Sequence, residues 1–168
     1  MNKDLRSRLA TTELLILDVD GVLTDGRLFY GSGGVEMKAF NAHDGYGLKK
    51  IQLEGISIAI VSGRTSDIVE KRAKELNIRF LFQNVGQKNE VLEELHRESG
   101  IEPRHMAHVG DDLPDLALFQ SVGLGIAVAD ARVEVRKSAD FVTNAKGGEG
   151  AVREVCELIL ASRLEGNE

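Results

Sequence analysis

Cysteine occurs once, at Cys156, so no disulfide can close within the chain, and its cysteine usage gives no sign of secretion. No apolar run approaches the length of a membrane span, and the opening residues MNKDLRSRLA lack the apolar core of a signal peptide. Positive charge is in deficit. Lys and Arg number 21 against 27 Asp and Glu, a net charge of −6. That balance argues against nucleic acid as the main partner, because phosphate backbones select basic faces. It leaves room for a small anion held by local cations. No internal repeat, low-complexity tract or interdomain linker interrupts the 168 residues. Hydrophobic content of 42% and charged content of 29% suit an ordinary globular chain. The expectation is one cytoplasmic domain spanning 1–168 with a core of its own and no membrane partner.

Short aliphatic runs alternate with amphipathic stretches. ELLILDV (13–19), SIAIVS (57–62), RFLF (79–82), MAHVGD (106–111) and GLGIAV (123–128) read as strands buried on both faces. In SDIVEKRAKEL, Val69, Ala73 and Leu76 share a helical face and Ser66 suits the N-cap. In KNEVLEELHRESG, Val91, Leu92 and Leu95 do the same, and Gly100 suits the stop. Val152, Val155, Cys156, Ile159 and Leu160 form the clearest helical stripe. Such alternation predicts a central parallel sheet with helices on both faces, a three-layer α/β fold whose ligand sits beyond the carboxyl ends of the strands. One segment departs from it. GRLFYGSGGVEMKAF (26–40) has two β-favouring arms around Gly31-Ser32-Gly33-Gly34 and predicts a hairpin. AKGGEG (145–150) reads as a flexible joint before the last helix.

The strand ends carry the chemistry. LLILDVDGVLTDG puts Asp18 and Asp20 two residues apart, so an extended chain points both carboxylates the same way. Close like charges repel unless a cation or proton lies between them. A calcium loop also begins D-x-D, but it needs an oxygen ligand at its fifth position and glycine at its sixth; here those are Val22 and Leu23. Solvated or helix-capping aspartates are the plain alternative. The other strand ends weigh against it. Ser62 follows the second of these strands, Lys88 opens a helix where the dipole disfavours cations, and Asp111, Asp112 and Asp115 follow the fourth. Together they describe carboxylates for Mg²⁺, and a hydroxyl and an ammonium for phosphoryl oxygens.

In these motifs the chain resembles the haloacid dehalogenase superfamily of phosphatases. DVDGVLTDG fits its first signature, Ser62 its second, Lys88 its third and GDDLPD its fourth, over nearly the whole chain. Residues 26–49 and 145–160 further resemble the 3-deoxy-D-manno-octulosonate 8-phosphate phosphatases, a group close to those acting on the nine-carbon 2-keto-3-deoxynononate 9-phosphate. The resemblance implies a Rossmann-like fold and Mg²⁺-dependent hydrolysis of a sugar phosphate for lipopolysaccharide synthesis. It makes Asp18 the nucleophile and Asp20 the acid and base. Mg²⁺ falls to the Asp18 carboxylate, the Asp20 backbone carbonyl and the Asp111 carboxylate, and the phosphoryl group to Ser62 and Lys88. Asp112 and Asp115 support the site, Asp115 by orienting Lys88 or metal waters or by capping the helix after Pro114.

Other residues divide. Arg64 either reaches a substrate carboxylate or forms a surface salt bridge. His43 and Lys49 follow the hairpin near the site's mouth, with Asp44 a possible helix cap, and Arg153 lies in the tail 146–168. His96 reads as solvated and Cys156 as core. His105 and His108, three apart on a strand, face opposite ways and do not suit zinc. The gaps between Asp20, Ser62 and Lys88 are too short for a cap domain, so a lid must come from a neighbouring subunit or from the substrate itself. The hairpin 27–40 carries Leu28, Phe29, Tyr30, Val35, Met37 and Phe40, more apolar surface than water tolerates. The plain alternative folds the hairpin flat onto its own core; the resemblance to the octulosonate phosphatases implies instead a homotetramer whose hairpins pack around a common axis, each subunit lying over its neighbour's site. Two non-enzymatic readings remain open at this point: a phospho-receiver domain, which also uses acidic groups, a hydroxyl and a lysine, and an idle assembly module.

Overall fold

Strand β1 (Leu14–Leu17) explains the architecture. All four of its side chains are fully buried, and consecutive residues point to opposite faces. Leu14 and Ile16 meet Val91, Leu92, Leu95 and Leu118, whereas Leu15 and Leu17 meet Leu48, Ile51, Val152 and Val155. A strand of aliphatic residues alone is therefore the right composition for this position, each side chain contributing about 1.5–3 kcal/mol by leaving water.

A computed structural model describes residues 3–165 of the chain; residues 1–2 and 166–168 of the predicted 1–168 span lie outside the described residues. The elements in chain order are α1 (Lys3–Ala10), β1, β2 (Phe29–Tyr30), β3 (Glu36–Met37), α2 (Ala42–Leu53), β4 (Ser57–Val61), α3 (Asp67–Glu75), β5 (Phe80–Phe82), α4 (Leu92–Ser99), β6 (Met106–Gly110), α5 (Leu116–Phe119), β7 (Leu124–Ala127), α6 (Val133–Ser138), β8 (Phe141–Val142) and α7 (Ala151–Glu165). Six strands form a parallel sheet in the order β5-β4-β1-β6-β7-β8. The five predicted strands are all present. Two-residue β8 and the short helices α5 and α6 carry too little pattern to be read from sequence. Among the described residues no helix is long and apolar enough to cross a membrane.

Register brings the strand ends together: Leu17 pairs with Ile60 and with Val109. Asp18, Ser62 and Asp111 therefore follow on one edge. The chain leaves β1 through a wide turn, Val19–Leu23, closed by Thr24 N–H donating to the Val19 carbonyl at 3.1 Å. Gly21 sits there with φ of 95°, and a Cβ on it would lie 2.1 Å from Asp111 Oδ2. Only glycine lets this turn lie against the second acidic strand end.

The predicted hairpin is present, with Phe29 paired to Met37 and Tyr30 to Glu36. Two local readings change. Ser66 occupies the N-cap position of α3, but its side chain does not cap the helix; its hydroxyl donates to Glu36 Oε2 at 2.8 Å, across to the hairpin. The 145–150 segment is not a loose joint. Gly148 N–H donates to the Val22 carbonyl at 2.9 Å, Gly147 N–H donates to Asp130, and a Cβ on Gly147 would fall 1.7 Å from the Gly21 carbonyl oxygen. The two glycines are there because the segment wedges against the turn after β1. Helix α7 then packs along α2 and α1, and Asp44 of α2 accepts from Arg153 N–H at its start. Asp44 thus caps α7 rather than its own helix, where Asn41 caps. Gly100 ends α4 at φ of 73°, as its position predicts.

Candidate active site

A cavity of about 420 Å³ opens beyond the carboxyl ends of β1, β4 and β6, lined among others by Asp18, Asp20, Ser62, Arg64, Lys88, Asp111, Asp112 and Asp115. Eight of the eleven sequence-predicted site residues meet here.

Lys88 stands at its centre. It is buried, with Nζ 2.8 Å from Asp18 Oδ1 and 2.6 Å from Asp115 Oδ1. Burial alone would lower its pKa, but the carboxylates of Asp18 and Asp115 override that and raise it, so the ammonium is firmly charged. Asp115 is buried too. Its Oδ1 accepts from Lys88 and from His108 Nε2 at 2.9 Å; its Oδ2 accepts the N–H groups of Asp111 and Asp112. Burial would raise its pKa, yet His108 and Lys88 hold it below the usual carboxylate range. Asp115 therefore both orients Lys88 and caps the turn after β6. Asp112 completes that turn by accepting Leu113 N–H at 2.8 Å.

The ligand atoms of Asp18, Asp111 and Asp115 lie within 4.8 Å of one another. Asp115 is fully partnered. Asp111 Oδ1 is buried with no hydrogen-bond partner, and burial, with the charges of Asp18 and Asp115, pushes the Asp111 carboxyl up to about 8. Burial and the Asp115 charge raise Asp18 as well. Buried carboxylates with a free oxygen and too little positive charge around them fit a hard divalent cation such as Mg²⁺. Asp111 offers the free oxygen, with the Asp18 carboxylate beside it; Asp115 has none to spare. Ser62 is buried beside them and its Oγ accepts Arg64 N–H at 3.2 Å. Asp25 turns aside, accepting Arg27 N–H.

Residues 80–155 match the haloacid dehalogenase-like hydrolase family. The chain is 43% identical over 163 residues to the 3-deoxy-D-manno-octulosonate 8-phosphate phosphatase KdsC of Escherichia coli K12, covering 97% of this chain and 87% of that one. The chain belongs to this phosphatase family of the haloacid dehalogenase superfamily. Two solved structures of the family superpose closely. That from Yersinia pestis has TM-score 0.95 and 43% identity, covering 99% of this chain and 91% of the other. That from Moraxella catarrhalis, in complex with magnesium ion, phosphate ion and a KDO molecule, has TM-score 0.95 and 41% identity over 99% and 96%. The receiver-domain and assembly-module readings give way to this phosphatase family.

Three predicted substrate residues are not among those lining the cavity of the single chain. His43 and Lys49 are exposed on α2. Arg153, on α7, pairs with Glu157 and stacks 4.8 Å over the Tyr46 ring. Arg64 does line the cavity, and it is held by the hairpin: Nη2 donates to Tyr30 Oη at 2.6 Å, and its guanidinium lies 3.6 Å from both Asp20 Oδ2 and Glu36 Oε1. Around the cavity the chain also places groups that sequence reasoning missed. His108 was a visible signal, because a polar side chain inside a strand covered on both faces must find a partner. Glu36 and Lys38, two apart on a hairpin arm whose apolar Val35 and Met37 point the other way, were a second.

Proposed function

We propose that the chain is a Mg²⁺-dependent phosphoric monoester hydrolase acting on 3-deoxy-D-manno-octulosonate 8-phosphate in the cytoplasm, as one capless domain over 1–168. The observation carrying this reading is the pairing of Asp18 with a buried Lys88 next to Asp111's unpartnered oxygen, in a chain 43% identical to KdsC. Asp18 attacks phosphorus in line; the bond to the sugar oxygen breaks and an aspartyl-phosphate forms. Asp20 gives that oxygen its proton, then takes one from the water that releases phosphate and regenerates the Asp18 carboxylate. Ser62 and Lys88 hold the transferring oxygens, the lysine opposing charge that spreads over them. Asp18 and Asp111, with the Asp20 carbonyl, would hold Mg²⁺, which neutralises charge that would otherwise repel the phosphate. Arg64 is the group best placed for the sugar acid's carboxylate.

The lid belongs to the same proposal. Phe29, Val35 and Met37, on the outward side of the hairpin, are 44–57% exposed, large apolar side chains of the kind that mark interfaces. Hairpins packing about a common axis in a homotetramer would cover them and roof neighbouring sites, with His43, Lys49 and Arg153 as surface groups for the same substrate. The test is Mg²⁺-dependent phosphate release across octulosonate 8-phosphate, nononate 9-phosphate and hexose phosphates. Preference for the eight-carbon substrate supports the reading; equal turnover of all would reduce it to a general phosphatase.

A further inference from the structure

We propose that Lys38 is a positioning residue for Asp20, so that the hairpin carries part of its own site's catalytic machinery; this rests on the phosphatase reading above. Lys38 lies just past β3 with its side chain only 1% exposed. A four-carbon stem on a surface hairpin could easily reach water, and burying an ammonium is costly unless anions meet it. Two do. Nζ donates to Asp20 Oδ1 at 2.5 Å and lies 3.4 Å from Glu36 Oε1. Glu36 is tied in turn to Ser66 at the start of α3 and to Arg64 after β4. The result is a closed set of two carboxylates and two cations, with Asp20 its only member on the nucleophile's turn. Lys38 is not among the residues lining the cavity, so it acts through Asp20 and not on the substrate.

The two oxygens of Asp20 are thereby made unequal. Oδ1 is anchored by Lys38, while Oδ2 stands 3.6 Å from Arg64 Nε, beyond hydrogen-bond length. Oδ2 is the oxygen that carries the proton to and from the sugar and water. An acid held at one oxygen keeps the other aimed at the leaving group, and a misplacement of about 1 Å costs about 100-fold in rate.

The test compares Lys38→Met and Lys38→Arg with wild type by kcat/KM, which reports the steps up to departure of the alcohol. The substrates are octulosonate 8-phosphate, whose alkoxide needs a proton, and p-nitrophenyl phosphate, whose phenolate does not. Lys38→Met should lose about 10- to 100-fold on the sugar phosphate and less than about threefold on the aryl ester, with Lys38→Arg recovering most of the difference. Equal losses on the two substrates, or no loss, would overturn the proposal. If Lys38→Met shows no cooperative thermal transition, Glu36→Gln is read the same way: a selective loss of several-fold on the sugar phosphate supports the positioning chain, and an equal or absent loss overturns it. Wild-type protein inactive on both esters would instead defeat the phosphatase reading itself.

Discussion

Removing the divalent cation should make the protein lose stability as pH rises, and the loss can be traced to Asp111. Its carboxyl titrates near 8 in the fold against an ordinary 3.8. Between those values the folded chain binds a proton that the unfolded chain does not, so unfolding becomes easier by up to about 1.4 kcal/mol for each pH unit gained. Burial and the Asp115 charge raise Asp18 too, which pulls in the same direction. Asp115 is held low and stays ionised in both states above about pH 5, so it adds no slope there. The cavity is open to water, which screens the effect; a net loss of about 2 kcal/mol from pH 5 to 8 is the working figure. For a chain of this size that lowers Tm by about 4–8 °C. Cation binding opposes it, adding about 2.7 kcal/mol at 100 times Kd, and more at high pH, where no proton competes. Thermal unfolding from pH 5 to 8, in EDTA and in MgCl₂, measures both arms. The Mg²⁺-induced rise in Tm should grow with pH, and Asp111→Asn should remove most of the slope, leaving the smaller share from Asp18, and most of the response. A flat profile in EDTA, or an Asp111→Asn variant whose slope is undiminished, would refute the reasoning.

Asp18→Asn should abolish turnover while leaving a cooperative unfolding transition, so phosphate release above about 1% of wild type would remove Asp18 as nucleophile. Asp20→Asn should lower kcat/KM by about 100-fold or more for alkyl phosphates and much less for p-nitrophenyl phosphate; parallel losses would count against its acid role. Gly147→Ala forces a methyl onto the Gly21 carbonyl and should cost about 1–3 kcal/mol, read as a Tm drop of about 2–12 °C, with kcat falling as the Asp20 turn moves; wild-type stability and kcat together would show that the wedge is slack. Replacing residues 29–37 with a short Gly-Ser turn should give smaller species in sedimentation and a higher KM for the sugar phosphate; unchanged mass and kinetics would remove the hairpin as lid.

Much of this arrangement was legible because it follows from periodicities. Leu14 to Leu17 announce a doubly covered strand, and a parallel sheet then collects the residues after each strand on one edge. Asp18, Ser62, Lys88 and Asp111 could thus be gathered without coordinates. What escaped were contacts between elements that no local period encodes. Ser66 fits the statistics of an N-cap, yet Glu36 from the hairpin takes its hydroxyl. KGGEG reads as flexible because glycine lowers the cost of many conformations; here it is required for close approach, since Gly147 touches backbone 126 positions earlier at Gly21. Asp44 suits the cap of its own helix and caps α7 instead, which begins more than a hundred residues later.

The hairpin reconciles two demands that would conflict in a flat strand pair. Its cross-strand pairs alternate in facing: Phe29 and Met37 share one side, Tyr30 and Glu36 the other. The Phe29–Met37 side stays substantially exposed and can serve only something outside the chain's own core. The Tyr30–Glu36 side meets Arg64 and Ser66, and Lys38 continues it to Asp20. One surface is therefore exposed while the other is tied to Asp20, so a subunit packed on the outer face would also bear on the inner one. Turnover would then depend on assembly through the orientation of Asp20 as well as through coverage of the cavity. Such coupling would require no conformational relay, because the element proposed to make the interface and the element proposed to hold Asp20 are the same 14 residues at 27–40.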